Sequence, residues 1–592
     1  MRPTGLFWIA LGLILISGVA AAKHKFAQGE RITLWANKVG PLSSPSETYQ
    51  YYDLPFCQPA EKDKKRLSLG EIIDGNRLVA TPYNVSFREP VERAVLCTRP
   101  LSASDLASFR RAISREYYYQ FVYDDLPIWG LVGRSLDATN GTDPSAPRRQ
   151  MLFTHVTFEA QYNGDRVIEV SVASDRLAAL DVSEDVDPPP AEASFTYSVT
   201  WRETDRAFSS RLDLFSEHQF RRQHLEIHWF SIVNSCVTVL LLTGFLTTIL
   251  MRVLRADLVK YSRDEEDPDD GDESGWKLVH GDVFRFPRGR AALAALVGAG
   301  SQVLALAAGL LALATLGAFR PHGRGAVFSA LVFLYVSTSA VAGYQAASYY
   351  RQLGGTRHAR VLLLAGLALS GPLFLAFAVN NTIALAYGST AALTPGAIAA
   401  VGGLWTLVTL PLLALGGVLG KNGKTQFAAP CRTNKYPREV PPLPWYRSAA
   451  VQMLMAGFLP FSAIYIELFY IFASVWGFHV YTIYPILAVV FAILCVVTAF
   501  ITVALTYFQL AAEDHRWWWR SFFCGGSTGL FVYVYCIYYY VARSRMSGLL
   551  QASFYFGYNA VVCLAFFYML GFVGWRASLA FVRRIYRAIK CE

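Results

Sequence analysis

Hydrophobic positions along this chain follow two rhythms. From residue 229 onward they come in unbroken apolar runs, at about 229 to 250, 292 to 317, 326 to 348, 361 to 386, 396 to 419, 449 to 472, 484 to 510, 521 to 541 and 549 to 575. A span needs roughly 20 apolar residues at a rise of about 1.5 Å each. The pattern therefore predicts an α-helical polytopic membrane domain of nine transmembrane helices over 226–575. Over 23–225 no run reaches that length. Apolar and polar residues alternate there instead, as in "MLFTHVTFEAQY", "RVIEVSVAS" and "SFTYSVTWRE", the period of strands with one buried face. "GTDPSAPRRQ" and "EDVDPPPAEAS" break the alternation, so 23–225 reads as an antiparallel β-sandwich-like domain.

Ahead of it, "MRPTGLFWIALGLILISGVAAAKHK" places one arginine, about a dozen apolar residues and Ala20, Ala21 and Ala22 before Lys23. This matches a cleavable secretory signal over 1–22, and the apolar core is short for an anchor helix. Such a signal delivers the β-rich domain to the lumen. Two triplets there, beginning at Asn84 and Asn140, fit N-glycosylation.

Composition narrows the class. At 592 residues, 53% hydrophobic and 17% charged, the chain is no ordinary soluble globule. Its formal charge of +10 raises nucleic acid as a partner, but the basic residues sit in short clusters between apolar runs and form no continuous face. They orient the chain in a bilayer instead. Segments 251–290, 351–360, 420–447, 511–520 and 576–592 hold 24 Arg and Lys, against 4 in 318–325, 388–395, 473–483 and 542–548. That asymmetry puts the first set, including the tail over 576–592, in the cytosol.

Of nine cysteines, only Cys57 and Cys97 fall in the lumenal part, where an oxidising poise favours pairing. A disulfide between them competes with two buried thiols, because sequence does not give their separation. Cys236, Cys431, Cys495, Cys524, Cys536, Cys563 and Cys591 show no zinc spacing. The loop 251–290 carries "DEEDPDDGDES", which self-repulsion should disorder, then "GWKLVHGDVFRFPRGR", aromatic and basic, suited either to packing on the bundle or to anionic lipid. "GVLGKNGKT" at 417–425 has Val418 where a phosphate loop needs glycine, and it follows a span. His224 and His228 stand four apart with no third metal ligand, which favours a juxtamembrane helix. No nucleophile–base pair, zinc-protease motif or dinucleotide fingerprint appears, so no enzyme, cofactor or metal is expected.

One group stands out chemically. Glu467 lies in "FSAIYIELFYIF", inside the sixth run. A charge at that depth costs at least about 2.5–3.5 kcal/mol, so it should be protonated, paired or turned to a polar interior. Three roles remain open. It is a structural hydrogen bond between spans; a proton or solute site helped by Asn380, Asn381 or His479; or a polar contact for the helix of another protein. Small residues in "GAGSQVLALAAG", with Gly525 and Gly529, suit close helix approach, inside the bundle or toward a partner.

Several stretches are more specific. "YYDLPFC", "HWFSIVNS", "DESGWKLVHGDVFRFP", "CRTNKYPREVPPLPWY", "LPFSAIYIELFYIFASVWGFHVY", "YFQLAAEDHRWWWRSF" and the terminal "KCE" together resemble the nonaspanin family, the nine-transmembrane superfamily of endomembrane proteins. His515 departs from it where an aromatic residue is expected. The resemblance implies a non-cytosolic N-terminal domain, nine spans, residence in Golgi and endosome membranes, and a role in sorting transmembrane cargo proteins whose helices are rich in glycine. It also implies that Lys590 and Glu592 form a Lys-x-acidic signal for the COPI coat. The alternative is a secondary transporter or channel using Glu467, which internal repeats would favour.

Overall fold

The computed structural model describes residues 24–137, 148–174, 178–186, 188–208, 211, 229–264, 275–319, 325–423, 426–442, 444–477 and 484–589. The signal region 1–22, Asn140, His224, His228, His479, Lys590, Glu592 and most of the acidic run lie outside them.

In the N-terminal domain, twelve strands and two helices are described: β1 (Trp35–Pro41), β2 (Tyr49–Gln50), α1 (Leu69–Ile73), β3 (Val79–Ala80), β4 (Val91–Pro100), α2 (Ala103–Ser114), β5 (Tyr117–Tyr123), β6 (Leu126–Leu131), β7 (Gly133–Asp137), β8 (Arg148–Phe153), β9 (His155–Asn163), β10 (Arg166–Ser174), β11 (Ala179–Asp181) and β12 (Glu192–Glu203). They form three sheets, in the orders β2-β1-β5-β6 with β3 beside β1, β10-β9-β12-β4, and β11-β8-β7. The alternation in "SFTYSVTWRE" becomes the buried face Phe195, Tyr197 and Val199 of β12, which Ala193 just before that stretch extends. β5 is buried along its whole length because both its faces are covered. A core of Val39, Phe109, Ile113, Phe121, Leu152, Phe158 and Val167 joins the sheets. Period two gives faces and not partners, and one pairing departs from the antiparallel expectation. β12 lies parallel to β9, with Thr196 opposite His155, because the chain leaves the β9–β10 hairpin and crosses back before entering β12.

The Cys57–Cys97 disulfide, with Cα atoms 6.1 Å apart, ties the segment after β2 to β4. A buried ion pair closes the same domain: Arg211 donates to Asp124 at 3.0 Å, both side chains are at most 4% exposed, and His24 adds a 2.9 Å contact to the other carboxylate oxygen. α2 starts with a capping box, Ser102 accepting from the Asp105 amide while Asp105 reaches back to the Ser102 amide.

Nine described helices are long and apolar enough to cross a membrane. They are α3 (Trp229–Asp264), α4 (Arg290–Thr315), α5 (Ala326–Gln352), α6 (His358–Ala386), α7 (Pro395–Asn422, with a π turn at Trp405–Thr409), α8 (Ala449–Val475), α9 (Tyr484–Ala511), α10 (Trp517–Arg543) and α11 (Leu549–Arg587). Two differ from the apolar runs. α3 continues to Asp264 through the part of 251–290 read as loop, because Leu254, Leu258 and Tyr261 keep a helical apolar stripe against the bundle. α11 runs twelve residues past 575, and Ser578, Leu579, Val582, Ile585 and Tyr586 are buried, so most of 576–592 is a packed helix and not a solvated stub. Arginines at 576, 583, 584 and 587 interrupt the apolar run without interrupting the buried face.

Candidate functional site

α8 carries Glu467 on the face it shares with Ala463, Ile464, Leu468 and Phe472, packed toward α9, α10 and α11. The residue is 4% exposed, so contact with lipid is ruled out. Asn380, 1% exposed on α6, lies against Gly557 and the Tyr558 hydroxyl of α11. Asn381 accepts from the Leu393 amide at 2.9 Å and holds the α6–α7 connection. Asn380 and Asn381 thus stand on α6 and Glu467 on α8. Among the described residues the bundle has another polar seam: Thr498, Thr502 and Thr506 each bond back one turn along α9, and Thr506 meets Ser578 of α11 at 2.9 Å. No group of three or more His, Cys, Asp or Glu there could hold a metal.

The glycines sort into two populations. A Cβ built on Gly416 falls on the Ala340 carbonyl oxygen, and one on Gly343 falls on that of Leu413, so α5 and α7 cross backbone to backbone. Gly298 and Gly300 of α4, and Gly525 and Gly529 of α10, press in the same way on α5 or α11. The small residues singled out from sequence are thus consumed within the bundle. Gly371, Gly396, Gly402 and Gly403, on α6 and α7, instead meet nothing within 4 Å.

At the membrane face next to the β-rich domain, the β1–β2 loop "LSSPSET" seats the domain on the bundle. Thr48 meets Thr390 hydroxyl to hydroxyl at 2.7 Å, and its carbonyl accepts from the Ser389 hydroxyl and the Thr390 amide. The Ser46 amide donates to Gln551 of α11 at 2.8 Å, Ser44 bonds Ser547, and Arg77 donates to the Ala392 carbonyl. Behind the loop, Arg115 grips Glu47 bidentately at 2.7 and 2.6 Å. One short loop therefore engages both the α6–α7 and the α10–α11 connections. Sequence gave no sign of this, since the contacts use ordinary Ser and Thr residues between elements.

The opposite face gathers three of the quoted motifs into one layer. Trp517 donates to the Val283 carbonyl and Trp519 to that of Arg288; Asp282 accepts from Arg285 and from the Arg438 amide; Tyr586 donates to the Trp276 carbonyl. The stretch after the acidic run is thus ordered against the bundle. Asp514, with no exposed side-chain surface, is ion-paired to Arg516 and Arg520.

His515 lies in that layer, 8% exposed. Burial, opposed by Asp282 and Asp514, lowers its pKa. The folded chain then binds fewer protons than the unfolded one. Its contribution is present above about pH 6.5, the ordinary imidazole value, and is lost progressively as pH falls from there through the lower value of the folded chain. Thermal melting should drop less on acidification from about pH 7.5 to about pH 5.5 in His515→Phe than in the parent chain; equal drops would remove the assignment.

Asn84 is exposed on the domain surface, as an N-glycan requires.

A family model described as Endomembrane protein 70 matches residues 48–549. The chain is 56% identical to Transmembrane 9 superfamily member 3 of Arabidopsis thaliana, covering 100% of both sequences. It is 45% identical to Transmembrane 9 superfamily member 1 of Bos taurus, over 99% of this chain and 98% of that protein. Transmembrane 9 superfamily member 5 of Arabidopsis thaliana is 42% identical over 99% and 97%. No solved structure matches.

Proposed function

Since this chain belongs to the endomembrane protein 70 family of transmembrane 9 superfamily proteins, we propose that it sorts or escorts other membrane proteins, binding their transmembrane helices within the bilayer. The observation that carries this reading is the lock between domain and bundle. Thr48, Ser46, Ser44 and Arg77 fasten the domain to the α6–α7 connection in the middle of the helical sequence and to the α10–α11 connection with the start of the last helix, which suits a rigid platform and opposes the rocking of two halves that alternating access needs. The open glycines on α6 and α7 offer a place where a foreign backbone can approach closely.

In this reading the β-rich domain is lumenal and the face bearing α11's end is cytosolic. The Cys57–Cys97 disulfide and the excess of basic residues on the opposite side support that orientation. Residence in Golgi and endosome membranes, N-glycans on Asn84 and Asn140, and COPI recognition of Lys590 and Glu592 belong to the same proposal. So does the absence of catalysis.

A second reading, a transporter using Glu467, rests on that residue's burial in the bundle. One experiment separates the two. A photo-crosslinker at Leu407, 78% exposed on α7 beside the open glycines, should capture helices of other membrane proteins in cells, and Glu467→Gln should leave that capture unchanged. Absence of capture, together with solute or ion flux in reconstituted vesicles that Glu467→Gln abolishes, would replace the sorting reading with the transporter.

A further inference from the structure

We propose that Arg576, Arg583 and Arg587 of α11 form a binding site for a phosphorylated anion on the face of the bundle away from the β-rich domain. The three are spaced by seven and four residues. At 100° per residue this brings them within about 20° of a single line along the helix. Arg583 is the centre. Its guanidinium lies over the Phe427 ring at 4.5 Å, and Phe427 is held in turn by Phe284 and Trp518. That stack fixes the plane of the cation. The Nε and Nη2 atoms along its side edge form the fork that matches two oxygens of one phosphate, and both are enclosed without a protein acceptor.

Charge adds to geometry. Arg576 and Arg587 stand close enough to act electrostatically on Arg583, with the Tyr349 ring in the same field. Among the described residues no carboxylate is paired with any of the three. The buried carboxylates of this layer, Asp514 and Asp282, are by contrast paired with arginines of their own, while Arg583 is half-buried with its Nε and Nη2 enclosed. Mutually repelling cations on one helix line, with an enclosed donor fork among them, fit a multiply charged phosphate better than a carboxylate.

The depth is appropriate. Arg576 is the first charged residue after the apolar run 549–575, and Arg583 and Arg587 lie about 10 and 16 Å further along the axis. That places the fork at or just beyond the headgroup layer. The phosphate is supplied either by the headgroup of a phosphorylated inositol lipid or by a soluble inositol phosphate.

The test uses the full chain in nanodiscs of phosphatidylcholine, with or without a small fraction of phosphatidylinositol phosphate, and reads retained lipid by native mass spectrometry. A parallel arm titrates soluble inositol phosphate onto the detergent-purified chain. Enrichment of the lipid alone identifies the membrane as source; equal binding of the soluble anion identifies the free species. In either case Arg583→Gln should lower binding by roughly tenfold, and Arg583→Lys, which keeps the charge and loses the fork, nearly as far. If Arg583→Gln does not fold, the double variant Arg576→Gln with Arg587→Gln, at two exposed positions, should show the loss. The proposal is overturned if the parent chain binds neither species above the phosphatidylcholine control, or if well-folded variants bind as the parent does.

Discussion

Replacing Gly416 with leucine is expected to prevent the bundle from assembling, while the same change at Gly402, fourteen residues earlier on the same helix, leaves it intact. Both are glycines in α7. At Gly416 an added Cβ coincides with the Ala340 carbonyl oxygen of α5, and Gly343 of α5 stands in the same relation to Leu413. Neither obstacle is a side chain that can rotate away, so the helices must separate and give up the whole crossing. The cost should exceed about 3 kcal/mol, the upper part of the usual range for overpacking. At Gly402 nothing lies within 4 Å, and leucine adds apolar surface to a lipid-facing position. Fluorescence-detected size-exclusion chromatography and melting of the two variants decide the matter. A monodisperse Gly416→Leu protein melting with the parent would show that α5 and α7 do not cross as described.

The second large effect belongs to the β-rich domain. Asp124→Ala should cost about 3–5 kcal/mol, because it leaves the guanidinium of Arg211, 3% exposed, without its counter-ion. The penalty is mostly that of an uncompensated buried charge. Removing both partners in Asp124→Ala with Arg211→Leu should therefore restore much of the loss, a non-additivity that a double-mutant cycle measures. Resistance of the domain to limited proteolysis in the full-length protein provides the readout. Additive losses, or a single substitution costing under about 1 kcal/mol, would contradict the assignment.

How far the chain could be read in advance depended on the reach of the interactions concerned. Hydropathy located all nine spans, because the bilayer imposes one length and one polarity on each. Alternation located β10 and β12 nearly to the residue, for the sheet's two faces are a local property. It was silent on β12 lying parallel beside β9, a pairing between segments about forty residues apart. The ends of α3 and α11 were misplaced because charged residues there sit on a helix whose other side remains buried. The candidate site was legible only in part. Glu467 declared itself by its chemistry, but the partners of Asn380 and Asn381, Tyr558 and the Leu393 amide, depend on which elements adjoin. The glycines of α4 and α10 gave no hint of whether they faced a neighbour or lipid. Arg583 looked like one of several basic residues in a tail until the ring of Phe427, from a distant loop, was found beneath it.

α11 invites a mechanical conclusion. Its first turn receives the Ser46 amide through Gln551, and its last turns carry Arg583 and Arg587. At about 1.5 Å per residue its 39 residues measure close to 58 Å, with no proline to act as a joint. A rod of that kind tilts as a unit, so a load at one water-exposed end is felt at the other. Whatever docks on the β-rich domain and whatever settles among the arginines are thereby set on opposite arms of a single lever.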